Sequence, residues 1–365
     1  MFVELLVHGP LSRAETARRL ALSPSALTKL TKPLIEGGYL LYQPTEERPA
    51  LGRPSQPLAV NASRMSLIGV KLTSDEMFAV RTDLRGQIQR EVRRELRSHE
   101  VDHVVAEIAD AVRELSLPVT PPSAVGISLA GTASAGDPIV HTSPFLGWND
   151  VPIGNIVAAA TGLPTIVEND VRALTAAQQW FGAGVGRHSF ALVTVGAGIG
   201  CGLVIGDQVV RSPGRGTGLV GHLAVDNNGP LCEMGHRGCA RAYASSAAIQ
   251  RSIAAALGRP DLTFDQCLAL GREQQPAAAR VFQEAGRALG RVVATVANIT
   301  GVELVILSGE AVQMFDVCAD AFDAALAEHT HWTSTPVEVV VKPFTFSEWA
   351  RGAAVAALQY QILGA

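Results

Sequence analysis

The sequence predicts an α/β protein: a two-lobed body of alternating strands and helices behind a small helical head. Three observations predict it. Residues 1–62 read as short capped helices followed by two short strands. From Ser66 onward, apolar runs of strand length alternate with amphipathic stretches of helical period, the pattern of a mixed sheet covered on both faces. At Phe190 a second apolar run enters a glycine-rich turn, Gly196-Ala197-Gly198-Ile199-Gly200-Cys201-Gly202, and the alternation begins again.

The bulk numbers agree. A chain of 365 residues with 47% hydrophobic content is too long for one ordinary domain and ample for two or three cores. No apolar run reaches the roughly 18 residues of a membrane span. Glu4 and His8 stand where a secretory signal needs a basic lead. Five cysteines without such a signal point to thiols or metal ligands, not to a disulfide framework. The expectation is a cytoplasmic protein with no membrane partner. Charge is uneven. Residues 1–65 hold eight basic and five acidic side chains, so of the chain's net −4 the head carries +3 and the remainder −7. A basic head on an acidic body points to nucleic-acid contact by the head.

In the head, residues 2–8 form an apolar helix that Gly9-Pro10 ends. Ser12 caps a second helix, with Glu15 placed to complete a capping box and with Ala14, Ala17 and Leu20 inward. Ser23 caps a third, with Pro24 at its first position. Ala26, Leu27, Leu30 and Leu34 make its core face; Ser25, Thr28, Lys29 and Lys32 look outward. Pro33 is expected to kink or shorten it. Two helices joined by a tight turn, the second polar and basic outside, form the helix-turn-helix pattern. YLLYQ and PLAVN then read as the strands of a wing. Its tip, Gly52-Arg53-Pro54, suits a guanidinium laid in a narrow minor groove. The alternative is a polar helical hairpin with a solvated loop.

The domains follow: a winged helix-turn-helix over residues 1–62, a first lobe over 66–184 and a second over 185–365, whose last helix is able to pack back on the first. Each lobe opens with strands joined by tight turns. Two such lobes match a duplicated ribonuclease-H-like body of the actin and hexokinase type, although periodicity alone gives only α/β.

Several residues line up in one order: Leu146-Gly147-Trp148, Glu168-Asn169-Asp170, Gly196–Gly202, Gly221-His222, Cys232…Gly235…Gly238-Cys239 and Ala244-Ser245. Together they resemble the ROK family of repressors, open reading frames and sugar kinases, and the head resembles that of its regulator branch. The resemblance covers nearly the whole chain. It implies that Asp170 stands at the position of the catalytic base, which takes a proton from a sugar hydroxyl attacking ATP. It implies sugar contact by Asn169 and sugar or zinc contact by His222. The turn Gly196–Gly200 matches a phosphate loop, and Gly309 part of the nucleotide-side loop.

Departures from the family pattern oppose kinase chemistry. Lys71 stands where the kinases carry a metal- and phosphate-handling Asp, and the double glycine after it is Thr73-Ser74. Leu219 and Arg241 replace two sugar-contacting Glu residues, and Ala197 a Thr. Losing charge-assisted hydrogen bonds of about 1–3 kcal/mol each weakens neutral-sugar binding steeply. Lys71 and Arg241 instead favour an anionic ligand such as a sugar phosphate or sugar acid. ATP and Mg²⁺ are not expected.

The family's zinc site uses one His and three Cys. Here His222, Cys232 and Cys239 remain, while the middle Cys is Met234, a poor zinc ligand. His236 is near enough in sequence to complete a Cys₂His₂ set; the alternative is a metal-free loop with two buried thiols. Cys201, Cys267 and Cys318 read as core residues. The resulting expectation is a ROK-type transcriptional regulator of carbohydrate genes, most simply a repressor. It binds double-stranded DNA as a homodimer or tetramer and senses a sugar-type effector bound near Asn169, Asp170 and His222. Two alternatives remain: an ATP-dependent sugar kinase carrying a DNA-binding head, and a regulator that answers to a protein partner.

Overall fold

The computed structural model describes residues 1–43, 56–211 and 218–364. The head contains α1 (Phe2–His8), α2 (Arg13–Arg19) and α3 (Pro24–Glu36), then strands β1 (Leu40–Tyr42) and β2 (Leu58–Val60). The strands pair antiparallel, with Leu41 opposite Ala59. Ser12 caps α2 through the Glu15 N–H, and Ser23 caps α3 through the Ala26 N–H. The reciprocal half of the capping box is missing. The Glu15 carboxylate accepts from Arg18 and Arg19 instead, and those hydrogen bonds hold its pKa down at about 2.

Three head expectations are corrected. Ala14 is exposed and Thr16 is the buried residue of α2, its hydroxyl donating to the Ser12 carbonyl. On α3 the inward stripe is Leu27, Thr31 and Leu34, an i, i+4, i+7 row, and Leu30 lies outside it at 47% exposure. α3 also continues through Pro33 to Glu36, so the proline neither ends nor shortens it. Its ring stands on the exposed side. The Gly52-Arg53-Pro54 tip lies outside the described residues.

The body follows in chain order: β3 (Ser66–Leu72), β4 (Glu76–Asp83), β5 (Ile88–Glu95), α4 (Val101–Leu115), β6 (Pro122–Leu129), β7 (Val140–Ser143), β8 (Trp148–Val151), α5 (Ile153–Thr161), β9 (Thr165–Asn169) and α6 (Asp170–Phe181). Then come β10 (Phe190–Val195), β11 (Ile199–Ile205), β12 (Gln208–Val209), α7 (Ala240–Ala244), α8 (Ser246–Leu257), α9 (Phe264–Arg272), α10 (Pro276–Thr300), β13 (Leu304–Ser308), α11 (Phe315–His329), β14 (Glu338–Val341) and α12 (Phe346–Leu363). The chain divides into two compact units, Met1–Val185 with Trp349–Ala365, and Gly186–Glu348.

In the first unit the sheet runs β5-β4-β3-β6-β9; the first three strands are antiparallel and the last two join in parallel. Successive residues of β3 point to opposite faces. Ile68, Val70 and Leu72 pack under α4 and α5 with Val104, Ile108 and Val157. Leu67 faces the other way, toward Trp180 of α6 and Ala354 and Leu358 of α12. Leu6 of α1 joins that second cluster, so the head packs on this unit. α12 lies against paired glycines: Gly69 and Gly126 are neighbours in register, and a Cβ on either would overlap the Ala350 or Ala353 carbonyl.

In the second unit the sheet runs β12-β11-β10-β13-β14, again three antiparallel strands followed by two in parallel. Val193, Val195, Val305 and Leu307 meet α7–α11 in one core. Gly286 and Gly290 let α10 approach the backbone of α11 closely.

Candidate functional site

In the first unit, β9 ends at Asn169 and α6 begins at Asp170. The Asn169 side chain caps the helix, accepting from the Val171 and Arg172 N–H groups, while its amide donates to the Gly131 carbonyl. Glu168 is buried against the Arg172 guanidinium at 2.7 Å. Asp170 accepts from the Val171 N–H and, through its other oxygen, from Lys71 Nζ at 2.5 Å. The pair is almost fully buried, with side chains 5% and 9% exposed. Trp349 of α12 places its ring 4.9 Å from the same ammonium. The lysine that departs from the kinase pattern therefore neutralises the carboxylate that would act as base.

In the second unit, β10 and β11 form a hairpin around the glycine turn, with Val195 opposite Ile199. The turn already faces an acid. Ala197 N–H donates to a Glu310 carboxylate oxygen at 3.4 Å, and a Cβ on Gly196 would fall 2.9 Å from that oxygen. Sequence reasoning passed over Glu310; the signal was its place directly after Gly309, whose φ of +110° and closeness to the Val195 carbonyl require glycine. Arg241 lies beside Gly198, and its guanidinium is bound to the Glu233 carboxylate, with Nε at 2.5 Å. Both cations behind the anionic-ligand expectation, Lys71 and Arg241, thus hold carboxylates of their own units. Leu219 is 71% exposed.

The Cys/His cluster forms. His222 Nδ1 lies 3.8 Å from both Cys232 Sγ and Cys239 Sγ, and all three donor atoms are within 4.8 Å of one another. His236 Nδ1 is 3.6 Å from Cys232 Sγ. Burial raises the Cys232 thiol, but hydrogen bonds from the Met234 N–H and from His236 outweigh it and bring the pKa to about 7. Burial raises Cys239 and lowers His222, the latter also under the charges of His236 and Arg241. The donor set suits zinc: two thiols and an imidazole, converging on one point. Cys201 and Cys318 are pushed up to about 12 by burial and Cys267 also rises, which keeps them as inert thiols.

On the head, Ser25, Thr28, Lys29 and Lys32 are all exposed along α3. Lys32 lies 3.8 Å from Glu36, whereas Lys29 has no ion pair among the described residues. The Thr28 hydroxyl is engaged, donating to the Pro24 carbonyl and accepting from Arg13, which also donates to Tyr42 Oη. Arg13 thereby ties α2 to α3 and β1.

Two five-stranded mixed sheets of identical order, each covered by helices, define a duplicated α/β body of the hexokinase type, here with a helical head. The chain belongs to the ROK family, whose model matches residues 67–359. The xylose repressor of Bacillus subtilis is 24% identical over 314 residues, 85% of this chain and 81% of that protein. The glucokinase of Thermotoga maritima is 32% identical over 263 residues, 67% of this chain and 82% of that enzyme. The chain spans 62% of the length of a further curated relative from Caldicellulosiruptor. A crystal structure of a ROK family transcriptional regulator, a homologue of the Escherichia coli Mlc protein, superposes with a TM-score of 0.84 at 23% identity, over 98% of this chain and 95% of that one. No helix among the described residues is long and apolar enough to cross a membrane.

Proposed function

We propose that this chain is a transcriptional repressor of the ROK family, without phosphotransfer activity, that binds double-stranded DNA through its head. The observation that carries the reading is the head itself, which precedes the family match: a capped helix pair, an outward Ser25-Lys29-Lys32 face and a two-stranded hairpin. This is the winged helix-turn-helix arrangement, with α3 in the major groove. Relatives named as repressors support it. The body assembles as a homodimer or tetramer, so two heads read a palindrome. Its effector is a sugar or sugar derivative, with Asn169 and Asp170 as the candidate contacts in the first unit.

Genomic fragments enriched on the purified protein supply the operator. Binding is expected to fall steeply with salt, and Lys29→Ala to reduce the slope of log K against log salt by about 1, as for loss of one phosphate contact. An unchanged slope in that variant removes α3 from the interface.

The glucokinase relative favours a second reading, a sugar kinase with a DNA-binding head. The Lys71–Asp170 pair and the Glu310 carboxylate at the glycine turn both oppose it, since a base tied to an ammonium is not free to take a proton and an acid at the turn repels a phosphate. No ATP consumption above background is expected across a hexose panel. Turnover that disappears in Asp170→Asn would establish the kinase instead.

A further inference from the structure

We propose that the chain binds one zinc ion through a Cys₂His₂ set in which His236, and not Met234, supplies the fourth ligand. Tetrahedral zinc with bonds of about 2.3 Å to sulfur and about 2.0–2.1 Å to nitrogen places neighbouring donor atoms roughly 3.3–3.8 Å apart. His222 Nδ1 stands 3.8 Å from each of the two sulfurs, at the upper end of that range. His236 Nδ1 stands 3.6 Å from Cys232 Sγ, and its ring centroid is 4.4 Å from that of His222. Position 236 is brought there by the backbone. The Gly235 N–H donates to the Cys232 carbonyl and the Cys232 N–H to the His236 carbonyl, so the loop turns and returns residue 236 to Cys232. Gly235 takes a φ of +83° in that turn. Met234 sits on the loop's tip, 67% exposed, and a thioether is a poor partner for this borderline ion.

The imidazole of His236 is exposed and stands beside the group formed by His222, Cys232 and Cys239, on the Cys232 side, so binding would draw this side chain onto the ion. Binding releases the two thiol protons, and the two thiolates balance the charge of the ion. The closed site would clasp the segment from His222 to Cys239, which leads directly into α7 and Arg241. Neither the site nor its test depends on DNA binding.

The test uses the full chain purified without chelator, its zinc measured by elemental mass spectrometry, and the apoprotein titrated with Zn²⁺ and with Co²⁺ as a spectroscopic probe. Wild type is expected to carry one zinc per chain and to give the visible absorption of tetrahedral cobalt with thiolate ligands. His236→Ala is expected to lower zinc affinity by at least about 100-fold, beyond what losing an outer-shell partner costs, and to alter the cobalt spectrum. Met234→Leu is expected to leave both unchanged. His236→Cys should keep tight binding and add thiolate-to-cobalt charge-transfer intensity, a change that only a ligand position produces and that stays readable if the alanine variant folds poorly. The proposal is overturned by wild type holding less than about half an equivalent of zinc. It is equally overturned by His236→Ala binding as wild type does, or by loss of binding in Met234→Leu.

Discussion

Lys71→Met is expected to destabilise the protein by about 3–5 kcal/mol, the cost of leaving one member of a buried ion pair without its partner. The reason lies in the geometry. Among the described residues Asp170 has a single cationic partner, at 2.5 Å, and its side chain is 9% exposed, so water cannot replace the ammonium. Methionine keeps the unbranched apolar stem of lysine, one heavy atom shorter, under Trp349, so the effect is mainly that of the lost charge. Asp170→Asn should cost less, because an amide is neutral and still accepts a hydrogen bond from Lys71. The double variant Lys71→Met/Asp170→Asn should recover much of the loss, since removing both charges also removes their desolvation. Urea unfolding of the four proteins gives the cycle and its coupling energy. A single-variant cost under about 1 kcal/mol, the range of exposed pairs, would mean that the two groups do not meet in solution.

The same pair shows what a sequence can and cannot disclose. Lys71 was legible as a departure from a family pattern, because motif spacing is local. Its partner was not: Asp170 lies 99 positions away, and only the pairing of β3 with β6 and of β6 with β9 brings the strand ends together. The anionic-ligand expectation treated two replacing cations as free charge, and each turned out to have a carboxylate beside it. Elements with strong signals were readable: buried strands such as β3 and β10, the amphipathic α4, the caps Ser12 and Ser23. The hairpin of β7 and β8 and the helices α7–α9 carry weaker patterns. Leu30 is more apolar than Thr31, but helix phase puts the threonine inside, where its hydroxyl donates to the Leu27 carbonyl.

Gly69 stands two residues before Lys71, and the glycine pair it forms with Gly126 under α12 leads to the other large effect. Gly126→Ala is expected to cost at least about 3 kcal/mol, in the upper range of single substitutions. Two influences act in opposite directions. Backbone entropy favours alanine over glycine inside a strand by roughly 0.5–1 kcal/mol. Against that, the new Cβ would sit well inside contact distance of the Ala353 carbonyl, with the Ala354 N–H only 3.2 Å away. Backbone atoms cannot rotate aside as a side chain can, so α12 must lift from the sheet and open its packing against Leu67, Trp180 and Ala177. The clash wins. Ala353→Gly should not rescue the variant, because the obstructing atom is the carbonyl and not the methyl; a rescue would place the conflict elsewhere. Gly69→Ala should behave alike, since its Cβ meets the Ala350 carbonyl. The consequence reaches the ion pair. Residues 69 and 71 of β3 share a face, and Trp349 precedes Ala350 on the helix that would be displaced. Lifting α12 therefore uncovers Lys71 to water and weakens what the Lys71–Asp170 pair contributes. Combined with Lys71→Met, Gly126→Ala should then cost less than the sum of the two single effects, and strict additivity in urea unfolding would separate the helix contact from the site.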